Sequence, residues 1–225
     1  ETHMIEDFPA ILEFVEETGI RMVVFNDHLP HKALAQGKRP PRLDGQALKA
    51  GRSPEAHRKL LEELHERGPD VPAAVAAFSR ELRARGVTIG SHDDLTAADR
   101  AAYRAMGAGI AEFPETEEAL IAAHESGDVT ILGAPNVVRG GSHKMGLSAG
   151  EAVRAGRCDV LVSDYHYPAL RQAALLLEQE GIDAWPMVST TPARILGRDT
   201  RDDTCVMDET GRVVGTRANG QWSYM

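Results

Sequence analysis

The chain has 225 residues, 42% of them hydrophobic, and a formal net charge of −9 at pH 7. Such a length buries a sizeable core in one domain or one and a half, and the acidic balance excludes a general nucleic-acid surface, because phosphate backbones are held by basic patches. Cys158 and Cys205 have no CxxC spacing, which points to reduced thiols buried in a core rather than a disulfide framework or a thiolate zinc site. No apolar run approaches the ~20 residues that span a bilayer and no signal-peptide pattern opens the chain, so the expected setting is cytoplasmic, away from membranes.

Taken in order, the periodicity alternates between helix and strand. Phe8, Ile11, Leu12 and Val15 fall at helical spacing over Asp7 to Thr18, and Gly19 stops that helix before a strand from Arg21 to Phe25. Leu29 to Pro54, rich in Lys, Arg, Gly and Pro, shows no clean period and reads as a long loop on the functional side, suited to a lid. Helices follow at Pro54 to Arg67 and Val71 to Arg85, then a strand from Val87 to Gly90. Thr96 has the residue type to cap a helix running to Met106, and Asp93 and Asp94 compete for a similar cap role. Gly109 to Phe113 is the next strand, Thr116 to Ser126 a helix and Val129 to Leu132 a strand. Ser148 to Ala155 is a helix, Asp159 to Val162 a strand and Pro168 to Glu180 a helix, with two further short helices before Gly197. Thr204 to Met225 leaves the pattern, with two β-like runs forming a hairpin around Asp208 to Arg212. Repeated strand, polar loop and helix units imply α/β architecture with a parallel sheet, either a barrel or a doubly wound sheet.

Four of the short apolar runs end in polar clusters, at Asn26-Asp27-His28, Ser91-His92-Asp93-Asp94, Pro135-Asn136 and Ser163-Asp164-Tyr165. Strand ends of βα enzymes deliver their chemistry in this way. His28 and His92 are candidate imidazole ligands for a divalent cation, and Asp164 is a third ligand able to take a proton from an activated water. The competing readings are ordinary polar strand ends for the histidines and a helix N-cap for Asp164. Gly133 to Lys144 differs in kind: Gly140 and Gly141 let backbone N–H groups turn inward, and Arg139, Ser142, His143 and Lys144 add donors, which suits a phosphate or polyphosphate. The segment is not a Walker A loop, since the GxxxxGK[ST] spacing is absent.

The phrases FNDHLPHK, GSHDDLT, AEFPET, GAPNVVRGGSH and SDYHYPA, in this order, resemble the phosphonate-pathway diphosphatases of the amidohydrolase superfamily, the PhnM type acting on α-D-ribose 1-methylphosphonate 5-triphosphate. The resemblance runs from the first residue to about Gly197. It implies a (β/α)8 TIM-like barrel over residues 1–197 and the remnant of a small β-sandwich in the hairpin of 198–225. It further implies a divalent-metal centre, binuclear in the complete enzyme and filled by zinc, manganese or iron, and release of diphosphate to leave the 5-phosphate. By resemblance His28 is the strand-five ligand, His92 the strand-six ligand, Asp164 the strand-eight aspartate and Glu1 the strand-four carboxylate. Arg139, Gly140, Gly141, Ser142 and His143, with Asp93 and Tyr165, are placed near the substrate phosphates.

Two departures accompany the resemblance. The superfamily's strand-one His-x-His or His-x-Asp pair has no counterpart, and no initiator Met is present, so the expectation is the C-terminal part of a longer enzyme. The family's longer connection near Arg198 to Thr204 is also shortened here. Half a barrel exposes sheet edges and apolar helix faces, which closure normally removes, so a homo-oligomer joins the phosphorylated small-molecule substrate as an expected partner. Two other functions stay open beside the triphosphate hydrolase: an amidohydrolase cleaving a C–N or ester bond, favoured by a pocket without phosphate donors, and a non-catalytic subunit with an incomplete metal set.

Overall fold

In the computed structural model, which describes residues 1–140, 147–198 and 203–224, contacts group the chain into two compact units, Glu1–Ile89 and Gly90–Met225. The first unit opens with a 3-10 turn at Ile5–Asp7 and helix α1 (Phe8–Thr18), which Gly19 ends as expected, its N–H reaching Val15 O at 3.0 Å. Strand β1 (Met22–Phe25) follows. Helices α4 (Pro54–Glu66) and α5 (Val71–Ala84) later supply the apolar faces that bury Leu61, Leu64, Val75, Phe78 and Leu82. Between β1 and α4 lie α2 (His31–Ala35) and α3 (Leu43–Lys49). Leu29 to Pro54 is therefore not the irregular lid that its composition suggests. Leu43 and Ala47, four residues apart, are fully buried and α3 packs along α4. A one-sided helix of seven residues needs only two apolar anchors, too few to raise a period above the surrounding Lys and Gly. At the centre of this unit Phe8 stacks on Phe78 at 4.2 Å between ring centroids.

Strand β2 (Thr88–His92) extends two residues beyond the expected Gly90 and is anchored to the chain before β1 by a 2.8 Å bond from Thr88 N–H to Arg21 O. Then come α6 (Ala97–Ala105), β3 (Ile110–Glu112), α7 (Glu117–Glu125) and β4 (Val129–Gly133). Thr96 caps α6 in a reciprocal capping box with Asp99, so neither Asp93 nor Asp94 has that role. β4 passes directly into α8 (Ala134–Arg139), followed by α9 (Ala149–Arg154), β5 (Val160–Val162) and α10 (Ala169–Gln179). The first half of the expected Gly133 to Lys144 loop is thus helical, with Pro135 in the first turn where its missing N–H costs nothing. The two short helices before Gly197 are present as α11 (Trp185–Val188) and α12 (Thr190–Ile195).

Strands β1 to β5 form one sheet in that order, and β2 to β5 are paired in parallel, with Gly90 opposite Ile110, Ile110 opposite Val129 and Ile131 opposite Val160. The architecture is α/β, as expected. In the second unit Leu132, Val137, Val153, Leu161, Ala173 and Leu177 form the buried core between the sheet and the helices. Cys158 is buried in that core, whereas Cys205 is exposed, against the expectation of two buried thiols. Burial first, and then the charge of Asp159, pushes the Cys158 thiol up to about 12.

The C-terminal segment forms an antiparallel sheet of β6 (Thr204–Met207), β7 (Val213–Ala218) and β8 (Gln221–Tyr224), one strand more than the expected hairpin. The Asp208 carboxylate organises the first turn by accepting N–H bonds from Thr210 at 2.9 Å and Arg212 at 3.0 Å. The second turn is Asn219-Gly220, both residues at positive φ of 50° and 77°, a two-residue connection that matches strand twist. Asn-Gly is the strongest short hairpin signal in any sequence, and it marks the strand missed.

Candidate functional site

The C-terminal ends of the second unit's strands carry unusual backbone. Asp93 follows β2 at φ 59°, Phe113 follows β3 at φ 52° and Asp164 lies just past β5 at φ 51°. Side chains other than glycine adopt this left-handed region at a cost of about 1–3 kcal/mol, and such residues gather where a site over-determines the chain. Pairing continues through the first two, since Asp93 N–H reaches Glu112 O at 3.1 Å and Phe113 N–H reaches Ile131 O at 2.9 Å. The chain turns sharply only after these bonds, leaving His92 and Glu112 as register partners on adjacent strands.

His92 Nδ1 lies 3.0 Å from the Asp93 carboxylate, and its Nε2 lies 3.8 Å from Glu112 Oε2. The Phe113 ring meets the imidazole edge-on at 5.3 Å. The Asp93 carboxylate beside Nδ1 raises the His92 pKa, burial opposes it, and the charges of Glu112 and Asp164 add to the rise. Burial likewise raises Glu112, with Asp93 and Asp164 contributing and His92 opposing. Three carboxylates thus act on a single imidazole in a half-buried place. Such an excess of negative charge, with imidazole nitrogen and carboxylate oxygen on rigid strand ends, fits a hard or borderline divalent cation. Glu112 is absent from the ligands expected from sequence, although the AEFPET phrase contains it.

Arg139, the last residue of α8, donates from Nη1 to the Tyr165 hydroxyl at 2.5 Å, so these two expected substrate contacts do come together. Gly140 ends α8 at φ 74°. Gly141, Ser142 and His143 lie outside the described residues. Asn136 holds the chain on either side of them: its amide donates to Leu147 O at 3.2 Å, and its Oδ1 accepts from Ala149 N–H at 3.0 Å. A cavity of about 380 Å³ opens beside this arrangement, lined by Asp93, Leu95, Phe113, Gly133 and Asn136 among others.

The first unit contains a second constellation. Thr2 N–H pairs with Asn26 O at 2.9 Å, laying the start of the chain beside the end of β1. The His28 N–H donates to Glu1 Oε2 at 3.2 Å, so the two ligands expected in this unit are neighbours. Beside them His3 Nδ1 lies 3.6 Å from Asp27 Oδ1 and 4.0 Å from Glu1 Oε1. His31 Nε2 lies 2.8 Å from Asp27 Oδ2, and His31 Nδ1 lies 2.8 Å from His65 Nδ1. One ligand atom each from His3, Asp27 and His31 falls within 4.8 Å of the others. Burial, outweighing the opposing charge of Asp27, lowers the His3 pKa. None of His3, Asp27, His31 and His65 was a candidate from sequence. The Asp27 to His31 spacing was visible in FNDHLPHK, but nothing local reports that residues 1–3 lie beside it.

No protein-family model matches the chain. It is 38% identical over 125 residues to the alpha-D-ribose 1-methylphosphonate 5-triphosphate diphosphatase of Escherichia coli (strain K12), a match covering 53% of this chain and 33% of that protein. The resemblance carried by the motifs is thus borne out, and the match spans about a third of the relative's length. Among the described residues no helix is long and apolar enough to cross a membrane.

Proposed function

We propose that this chain serves a divalent-metal hydrolase that releases diphosphate from α-D-ribose 1-methylphosphonate 5-triphosphate, leaving the 5-phosphate. In this reading residues 1–197 are part of an amidohydrolase-type (β/α)8 barrel and 198–225 part of its small β-sandwich. The similarity to the E. coli diphosphatase supports the substrate class. The observation that carries the chemistry is the placing of Asp93 at 3.0 Å and Glu112 at 3.8 Å from the His92 ring, which also feels the charge of Asp164.

His92 and Asp164 would hold the cation in the second unit, with Glu112 in reach, and Glu1 and His28 join them on the resemblance alone. A divalent cation supplies Lewis acidity toward phosphoryl oxygen and lowers the pKa of a water it binds. The Asp93 carboxylate, 3.0 Å from His92 Nδ1, would favour a proton on that nitrogen and leave Nε2 to the cation. Asp164 takes the proton from the attacking water as the new P–O bond forms and the P–O bond to the departing diphosphate breaks. The Arg139 guanidinium, steadied by Tyr165, stabilises charge that develops on phosphate oxygens. Gly140 to His143 would add backbone and side-chain donors.

One observation favours a second reading, cleavage of a C–N or ester bond. Among the described residues the cavity beside Asp93 has no Lys or Arg in its lining. Diphosphate release by the protein as its gene encodes it separates the two. It should be abolished by chelation, fall by roughly 10²–10⁴-fold in Asp164→Asn, and be lost in His92→Ala. Metal binding without diphosphate release would transfer the assignment to the C–N or ester hydrolase.

A further inference from the structure

The first unit holds a ligand set that the proposed hydrolase does not use. His3 is buried, Asp27 is fixed by accepting the Leu29 N–H at 3.1 Å, and His31 opens α2. Their donor atoms share one small space, within 4.8 Å of one another. Two imidazoles and one carboxylate, with coordination positions left for water, form the donor set of zinc and other borderline divalent ions. We propose that His3, Asp27 and His31 form a divalent-cation site, with His65 as the positioning residue of His31.

The contact between His31 and His65 is the strongest part of the argument. A hydrogen bond between two Nδ1 atoms at 2.8 Å requires one ring to donate and the other to accept. With a cation on His31 Nε2, the His31 proton sits on Nδ1 and is given to His65, the outer hydrogen bond that ligating histidines characteristically make. Without a cation, His31 Nε2–H donates to Asp27 at 2.8 Å and the proton of the histidine pair belongs to His65. In both protonation patterns the bond between His31 and His65 is kept, so the cation replaces only the proton between His31 and Asp27. The three rings stand in sequence, with centroids 5.0 Å apart between His3 and His31 and 5.0 Å between His31 and His65.

The test is a Zn²⁺ titration of the whole chain followed by imidazole ¹⁵N resonances, which report tautomer and ligation directly and need no turnover. Ring nitrogens of both His3 and His31 should shift together and saturate, with His65 Nδ1 changing from donor to acceptor. The same response should persist in the His92→Ala/Asp164→Asn double variant. Asp27→Asn and His31→Gln should each weaken Zn²⁺ binding at least about tenfold, and His65→Phe by roughly 10–100-fold. In the wild-type chain, no shift at His3 and His31, or a shift at only one of them, would overturn the proposal, as would a response lost in a His92 variant that remains folded. Because the readout lies in the wild-type rings themselves, a variant that fails to fold does not decide the outcome. Failure of the hydrolase reading would appear as absent diphosphate release, independently of these resonances.

Discussion

Glu112 shows how a single residue links the site to stability. Its carboxyl lies at the end of β3, held above its ordinary range by burial and by the neighbouring negative charges of Asp93 and Asp164. The folded protein therefore keeps this proton to a higher pH than the unfolded chain does. Its contribution is fully present below the unfolded pKa, near 4.5, and is lost as pH rises through the folded value. His92 acts in the same direction: its pKa is raised above 6.5, so its contribution too is present at low pH and lost on going up. In chelator-treated protein, Glu112→Gln should raise the urea midpoint at pH 7 and leave it little changed at pH 4. A variant less stable than wild type at pH 7 would show that the Glu112 charge is compensated within the protein itself. The same residue marks the limit of sequence reading for the site. His92, Asp93 and Asp164 announce themselves as polar residues closing apolar runs. Glu112 sits on a three-residue strand, and its meeting with His92 depends on parallel register, which no local pattern encodes.

At the level of elements, the second unit is tied together by a buried charge network around Arg100 of α6. Arg100 Nε donates to Asp128 Oδ2 at 3.1 Å, and Nη1 donates to Asp94 Oδ2 at 2.9 Å and to Ile110 O at 3.2 Å. Arg104 and Ser91 complete the set through Asp128 and Asp94. The network thus joins the turn after β2, the helix α6, the strand β3 and the residue before β4. It lies directly behind His92 and Asp93 in sequence, so it fixes the strand end that carries the candidate ligand. Removing one partner of a buried ion pair strands the other, at about 3–5 kcal/mol. Arg100→Ala should cost that much in chemical denaturation of the metal-free protein, and Arg104→Ala far less, because the Arg104 side chain is 46% exposed. Equal and small losses would mean that Asp94 and Asp128 are solvated rather than buried. The cap at Thr96 and the helix starts at Thr116 and Ser148 were legible because those residues precede clean periodic runs. The helices α2, α3 and α8 were not, since five to seven residues containing glycine, proline or basic side chains give no period to count. The Asp94 cap reading failed for a related reason: an Asp before a helix looks the same whether it caps the backbone or, as here, pairs with a buried arginine six residues on.

For the molecule as a whole, the net charge of −9 and the separation into two compact units make metal binding a question of where stabilisation is felt. An ion that binds only the folded state stabilises it by mass action, about 2.7 kcal/mol at a concentration a hundred times its dissociation constant. Opening a unit must break the site inside it, so amide exchange slows there by up to roughly a hundredfold, while a unit without the ion exchanges as before. Hydrogen exchange in Zn²⁺ and in chelator therefore maps occupancy onto sequence without reference to turnover. Filling the His3, Asp27 and His31 site should slow the amides of residues 31–35, a helix that carries none of the proposed hydrolase ligands. Filling the cluster around His92 should slow residues 90–94 and 110–113, which share the β2 and β3 ladder. Slowing in both sets at different Zn²⁺ concentrations would establish two sites with distinct affinities, as the two constellations require. Slowing confined to 90–94 and 110–113 would remove the first-unit site and leave the proposed hydrolase centre, and slowing in neither would leave the acidic strand ends without a cation and the hydrolase without its Lewis acid.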